Sequence, residues 1–175
     1  MEIKTVGVIG CGLMGAGIVE VCARAAYDVV VLEVNQDLLD RGLGRIRSSL
    51  EKAVARGKAT REDVDRALGR IRGTLNLADC GTCDLVVEAA VENMEVKKKL
   101  FASLDAIAPP HAILASNTSS LCITEMASAT KQQRCPKCNY PNDPGAAQCV
   151  NCHAPLVVIC PRCGSPRPWY APRCP

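Results

Sequence analysis

The chain has 175 residues, 48% of them hydrophobic and 22% charged, with a net charge of +3. That length holds one ordinary domain, or one compact domain and a small module. No apolar run is long enough to cross a bilayer, and the N-terminus leads straight into a strand rather than into a charged and hydrophobic leader, so a soluble, cytoplasmic protein is expected.

Composition divides the chain near Thr130. Seven of the twelve cysteines and nine of the eleven prolines lie beyond it. Six basic residues there (Lys131, Arg134, Lys137, Arg162, Arg167 and Arg173) stand against Asp143, a charge of +5 that leaves −2 for the preceding part. Domains over 1–130 and 131–175 are expected. Phe101 is the only Phe and Trp169 the only Trp, so the core must be built from Val, Leu, Ile and Ala.

The first strand is expected over Lys4 to Ile9. It runs into VGVIGCGLMGAG at Val6 to Gly17, and a helix to about Ala25 follows. Gly10, Gly12 and Gly15 fit the G-x-G-x-x-G pattern: a tight turn, close approach of backbone N–H groups to a pyrophosphate, and close helix packing. The helix start favours an anion. Ala26 stands where a left-handed residue usually ends a helix, at a cost of about 1 kcal/mol or with a different cap. A second strand, Asp28 to Glu33, ends in an acid at the spacing that suits the ribose hydroxyls of NAD and repels the 2′-phosphate of NADP. The pattern predicts an α/β fold with a Rossmann-type parallel sheet.

Leu39, Leu43, Ile46, Leu50 and Ala53 then share one face of a helix capped by Asn35. Val64, Ala67, Leu68 and Ile71 share one face of a second, begun by Thr60 with Asp63 three residues on. This helical-hairpin insertion after strand 2 either ornaments its neighbours or binds ligand through Ser49, Lys52, Arg56 and Lys58 near its tip. Strands are expected near Gly73 to Leu77, over Asp84 to Ala89 (DLVVEA), and over Ala112 to Ala115. An amphipathic helix separates the last two and is stopped by Pro109 and Pro110. Cys80 and Cys83 form a lone C-x-x-C, read as structural thiols. SNTSSL brings Asn117, Thr118, Ser119 and Ser120 to the carboxyl ends of the strands, where open α/β sheets bind ligands, and a short helix over about Cys122 to Ala129 follows.

These residues resemble the NAD-binding domain of the 3-hydroxyacyl-CoA dehydrogenases, of the 3-hydroxybutyryl-CoA dehydrogenase type. The likeness spans Ile3 to about Lys131 and rests on VGVIGCGLMGAGI, the hairpin, DLVVEAAVENMEVKKKLF and ILASNTSSL. It implies NAD-dependent oxidation of an (S)-3-hydroxyacyl-CoA to the 3-ketoacyl thioester. By that resemblance Gly10, Leu13, Met14 and Gly15 hold the pyrophosphate, Glu33 the adenosine ribose, and Glu92 and Lys97 touch the cofactor. Lys97 also reaches CoA, as do Ser49 and Arg56, and Ser119 hydrogen-bonds the reacting oxygen. Without the resemblance, Lys97 reads as a solvated helix charge and Ser119 as a helix cap.

The family's catalytic histidine, in an H-F-F-N-P segment on a sixth strand, and its all-helical domain have no counterpart before the sequence departs at Lys131. His111 stands at the wrong end of the sheet and His153 in the tail. NAD binding with little turnover is therefore expected; the alternatives are a nucleotide-binding and zinc-ribbon interaction module, or a truncated gene fusion. Lacking the last strand, the sheet is left with an open edge at the fifth, an association hazard and a route to oligomers.

In the tail, Cys135, Cys138, Cys149 and Cys152 read C-x-x-C, ten residues, C-x-x-C, the spacing of a zinc site. The tail resembles a double zinc ribbon, with Cys160, Cys163 and Cys174 as an incomplete second ligand set. His153 is read as a bystander, and Leu156 to Ile159 as a ribbon strand rather than a cap on the sheet. Tyr140, Trp169, Tyr170 and the +5 charge invite a nucleic-acid reading, but four thiolates with one Zn²⁺ contribute −2 there. A structural or protein-interaction ribbon is the more ordinary expectation.

Overall fold

A computed structural model describes residues 2–130, 133–135, 137–138, 140–142, 146–159 and 166–168. In chain order the first unit comprises β1 (Thr5–Ile9), α1 (Leu13–Arg24), β2 (Asp28–Leu32), α2 (Gln36–Ala55), α3 (Arg61–Gly69) and β3 (Ile71–Thr74). A 3-10 turn (Leu77–Thr82), β4 (Leu85–Glu88), α4 (Met94–Ile107), β5 (Ile113–Ser116) and α5 (Ile123–Ala127) complete it. Every pairing in its sheet is parallel and the strand order is β3-β2-β1-β4-β5. The order reverses at β1, and ligands of such sheets bind above that reversal, at the carboxyl ends.

Alternation along the strands sorts the core into two layers. Val6, Val8, Val29 and Val31 face α1 and the α2/α3 hairpin, where Val19, Ile46, Leu50 and Val64 close the layer. Ile9, Val30, Leu32 and Val86 face the other side, against Leu104, Cys80 and Cys83. The two cysteines are fully buried, as befits structural thiols, and the Sγ of Cys83 lies 3.2 Å from where a side chain on Gly7 would begin.

Local chemistry explains the ends of the helices. The Asn35 side chain accepts a hydrogen bond from the Leu38 N–H, and Thr60 and Asp63 form a reciprocal capping box. Ala26 adopts φ +69 and its N–H reaches the Ala23 carbonyl, while the Tyr27 N–H reaches that of Cys22. This is a Schellman ending with alanine at the position that glycine favours.

One boundary differs from expectation. The third strand begins at Ile71, which pairs with Val29 rather than extending the face of α3, and Leu77 opens the 3-10 turn capped by Asn76. A single apolar residue after Gly69 fits either period, and pairing with β2 decides between them.

β5 pairs with β4 alone among the described residues, so the far edge of the sheet is open. In the tail, β6 (Gln133–Arg134) pairs antiparallel with β7 (Pro141–Asn142), and β8 (Val157–Ile159) with β9 (Pro166–Pro168). The LVVI segment thus belongs to the ribbon. Among the described residues no helix is long and apolar enough to cross a membrane.

Candidate functional site

The glycine turn joins β1 to α1 at the carboxyl edge of the sheet. Gly10 has φ +91, and a Cβ there would lie 2.6 Å from the Ala89 carbonyl oxygen; one on Gly15 would lie 1.8 Å from that of Gly10. Both positions therefore demand glycine for packing. Gly12 is the N-cap of α1 and makes no side-chain cap, no acidic side chain sits in the first turn, and a Cβ on Gly12 would meet nothing within 4 Å. The first N–H groups of a twelve-residue helix thus face an open space with no side-chain acceptor, the arrangement that holds a phosphate. Leu13 and Met14 are exposed beside it.

Glu33 follows β2 and turns toward that space. Its Oε1 accepts the Cys11 N–H at 2.6 Å and its Oε2 the Val34 N–H at 3.1 Å. A carboxylate, two strands meeting at the reversal of order and an uncapped helix start form a cradle that fits an adenine dinucleotide.

Across the reversal lies a polar network that the sequence only half disclosed. Glu88, at the end of β4, is completely buried. Its Oε1 accepts from the Ala90 N–H at 2.7 Å and from Lys97 Nζ at 2.6 Å; its Oε2 accepts from Lys97 Nζ at 2.8 Å and from Ser116 Oγ at 2.5 Å. Lys97 is 1% exposed and also lies 3.4 Å from Glu92 Oε2. It is not a solvated charge: its ammonium points inward to Glu88. Glu92 is exposed, and its Oε1 accepts from the hydroxyls of Thr118 and Ser120. Those bonds, with Lys97 assisting, hold its carboxyl below the usual carboxylate range. Glu88 was legible only as an anomaly, an acid in a continuous apolar strand that must find a buried partner.

Ser119 is exposed in the loop between β5 and α5, five residues or fewer from Ser116 and Leu121; the cap of α5 is Cys122, so Ser119 does not begin that helix. Ser49 lies exposed on the outer half of α2 and Arg56 is its C-cap, seven residues apart and hence on one face. Lys58 lines a separate cavity of about 310 Å³ with Arg24, Leu50, Val64 and Arg66. His111 lies at the opposite end of the sheet, where Nε2 is 2.9 Å from Asp84 Oδ1.

The ribbon supplies a second cluster. The Sγ atoms of Cys135, Cys138, Cys149 and Cys152 lie within 4.8 Å of one another, with Cys135 to Cys152 at 3.5 Å and Cys138 to Cys149 at 3.6 Å. Four sulfurs about 2.3 Å from a tetrahedral zinc stand about 3.8 Å apart, so the cage fits that ion. The Lys137 N–H and the amides of Asn142 and Asn151 point at the sulfurs of Cys135, Cys149 and Cys138. Such donors orient and stabilise thiolates. Burial raises the Cys149 thiol, but the N–H groups of Cys152, Asn151 and Asn142 outweigh it and hold it at about 6. His153 is exposed beside the cage, and Cys160, Cys163 and Cys174 lie outside the described residues.

Comparison with known proteins agrees with both pieces. Residues 5–150 match the family model for the 3-hydroxyacyl-CoA dehydrogenase NAD binding domain, and residues 135–175 match the double zinc ribbon. A 3-hydroxybutyryl-CoA dehydrogenase of Mycobacterium tuberculosis is 50% identical over 131 residues, 74% of this chain and 46% of that protein. The 3-hydroxyadipyl-CoA dehydrogenase of Escherichia coli is 41% identical over 75% of this chain and 28% of its own length. The crystal structure of FadB2 from M. tuberculosis superposes with a TM-score of 0.74 at 48% identity, over 75% of this chain and 46% of the other. The (S)-3-hydroxybutyryl-CoA dehydrogenase of Ralstonia eutropha gives 0.72 at 38%, over 74% and 46%. The chain thus spans less than half the length of these relatives. It belongs to the 3-hydroxyacyl-CoA dehydrogenase family, of which it carries the NAD-binding domain, joined to a double zinc ribbon.

Proposed function

We propose that this chain binds NAD as the nucleotide half of a 3-hydroxyacyl-CoA dehydrogenase, and that its division falls at 130, where composition and charge change together. One observation carries the reading: the uncapped start of α1 and the inward-facing Glu33 converge on one open space at the carboxyl edge. In this assignment the N–H groups around Gly10, Gly12, Leu13, Met14 and Gly15 take the pyrophosphate. Glu33 exchanges its bond to the Cys11 N–H for the ribose hydroxyls. Glu92 lines the nicotinamide side with Lys97 behind it. Ser119 hydrogen-bonds the reacting oxygen of a 3-hydroxyacyl-CoA, and Ser49 and Arg56 present a hydroxyl and a cation to the CoA phosphate.

NAD accepts the hydride in such a reaction, and the proton of the hydroxyl needs a separate base. His111 is committed to Asp84 at the far end of the sheet, and a missing base costs roughly 10²- to 10⁴-fold. The purified chain should therefore bind NADH and show little turnover. Titration with NADH and NADPH, followed by an assay of NAD reduction with 3-hydroxybutyryl-CoA, tests this. Preference for NADPH would overturn the role of Glu33, and rapid turnover would overturn the account of the base. The ribbon is proposed as a structural or protein-interaction module, independent of the dinucleotide.

A further inference from the structure

Glu88 lies in no ligand-facing position, yet more polar bonds converge on its carboxylate than on any other side chain of the site described above. Its two oxygens gather the backbone of the segment after β4 through Ala90, the helix α4 through Lys97, and the strand β5 through Ser116. Its own carbonyl accepts the Asn117 N–H at 2.7 Å. From this centre the contacts run outward by two routes to one loop. Ser116 Oγ receives the Thr118 N–H at 3.3 Å, and Lys97 holds Glu92, which receives the hydroxyls of Thr118 and Ser120. Thr118 Oγ in turn accepts the N–H of Leu121 at 3.1 Å. The loop from Asn117 to Leu121, with Ser119 at its middle, is thus tied at both flanks to one buried ion pair.

We propose that Glu88 and Lys97 are a buried positioning pair that fixes the Asn117–Leu121 loop and Glu92, and so shapes the half of the dinucleotide site that lies over β4 and β5. The inference rests on the NAD-binding reading above and extends it to Glu88. Burying an acid and an ammonium contributes little net stability, because desolvation offsets their attraction, and apolar or neutral replacements of both are commonly tolerated. Directional bonds are what the pair supplies in return: four hydrogen bonds from three donor groups to two oxygens leave the attached segments one arrangement. Glu33 stands on the other side of the reversal, over β2, outside this network. The pair therefore acts on the nicotinamide half and not on the adenosine half.

That asymmetry supplies the test, made on the zinc-loaded full chain with two probes. NADH spans both halves, and AMP occupies only the adenosine half. In Glu88→Gln/Lys97→Met, which removes both charges together, NADH binding should weaken about tenfold or more while AMP binding stays within about twofold. The melting temperature should stay near that of the parent. Ser116→Ala cuts the route through Ser116 while keeping both members of the pair, and should weaken NADH several-fold with AMP again unchanged. Unaltered NADH affinity in the folded double variant, or in Ser116→Ala, overturns the proposal, as does a parallel loss of NADH and AMP. Should the double variant fail to fold, Ser116→Ala alone decides. Failure of the parent chain to bind NADH at all would instead remove the NAD-binding reading and this inference with it.

Discussion

Three glycines at the start of α1, Gly12, Gly15 and Gly17, separate what packing demands from what a ligand demands. A Cβ on Gly15 would lie 1.8 Å from the Gly10 carbonyl oxygen, whereas real Cβ atoms do not come within 3.0 Å of such neighbours. Gly15→Ala must therefore push the turn open by more than an ångström, against backbone rather than a flexible side chain. Overpacking of that kind costs about 3 kcal/mol, the upper part of the usual range. For a chain of this size the melting temperature should fall by roughly 6–12 °C. Gly17, on the same helix, has nothing within 4 Å of its missing Cβ, so Gly17→Ala should gain about 1 kcal/mol of helix propensity. Gly12 distinguishes the two demands. Its φ of −67° suits alanine and its Cβ would meet nothing, so the folded chain has no steric need of glycine there. Gly12→Ala should stay within about 1 kcal/mol of the parent, alanine being only a poorer N-cap. It should nevertheless weaken NADH tenfold or more, about 1.4 kcal/mol, because the methyl occupies the approach to the α1 N–H groups. Thermal denaturation and a fluorescence titration with NADH read both quantities. Parental NADH affinity in Gly12→Ala would refute the placement of the pyrophosphate.

The remaining predictions concern stability and the metal. Ala26→Gly relieves the left-handed alanine of the Schellman ending at φ +69 and should stabilise by about 0.5–1 kcal/mol, visible as a small rise in melting temperature. Asp84, held at about 2 by the N–H groups of Thr5 and Lys4 and by His111, has a folded value below its unfolded one. Its contribution is complete above about pH 4 and is lost as the pH falls through about 2; it amounts to at most about 2 kcal/mol. Asp84→Asn should flatten acid unfolding in that window, and an unchanged profile would contradict the assignment. Cys149→Ser should lower the zinc content by one equivalent per chain in elemental analysis and leave NADH affinity within about twofold. A joint loss of both would show that the ribbon supports the dinucleotide site.

What was legible in the sequence followed from short-range chemistry. The apolar runs of β1, β2 and β4, the caps at Asn35 and Thr60, the awkward Ala26 and the paired C-x-x-C knuckles each depend on residues a few positions apart, and each appears where local physics puts it. The third strand slipped by two residues because Ile71 satisfies a helical face and a strand equally until β2 selects the strand. Lys97 is the more instructive case. In the run from Lys97 to Lys99 the three lysines are indistinguishable by composition, yet Lys97 is buried against Glu88 and Lys98 reaches Glu125. What separates them is their place on α4: Lys97 shares the buried face with Phe101 and Leu104, four and seven residues on, whereas Lys98 and Lys99 stand beside that face. Glu88 carried the recoverable signal. A charge inside a run of buried strand residues is costly unless a cation answers it, and the nearest lysine on the following helix is nine residues on. A buried acid in a strand is a demand for a partner rather than an interruption of the strand, and that demand turns Lys97 inward.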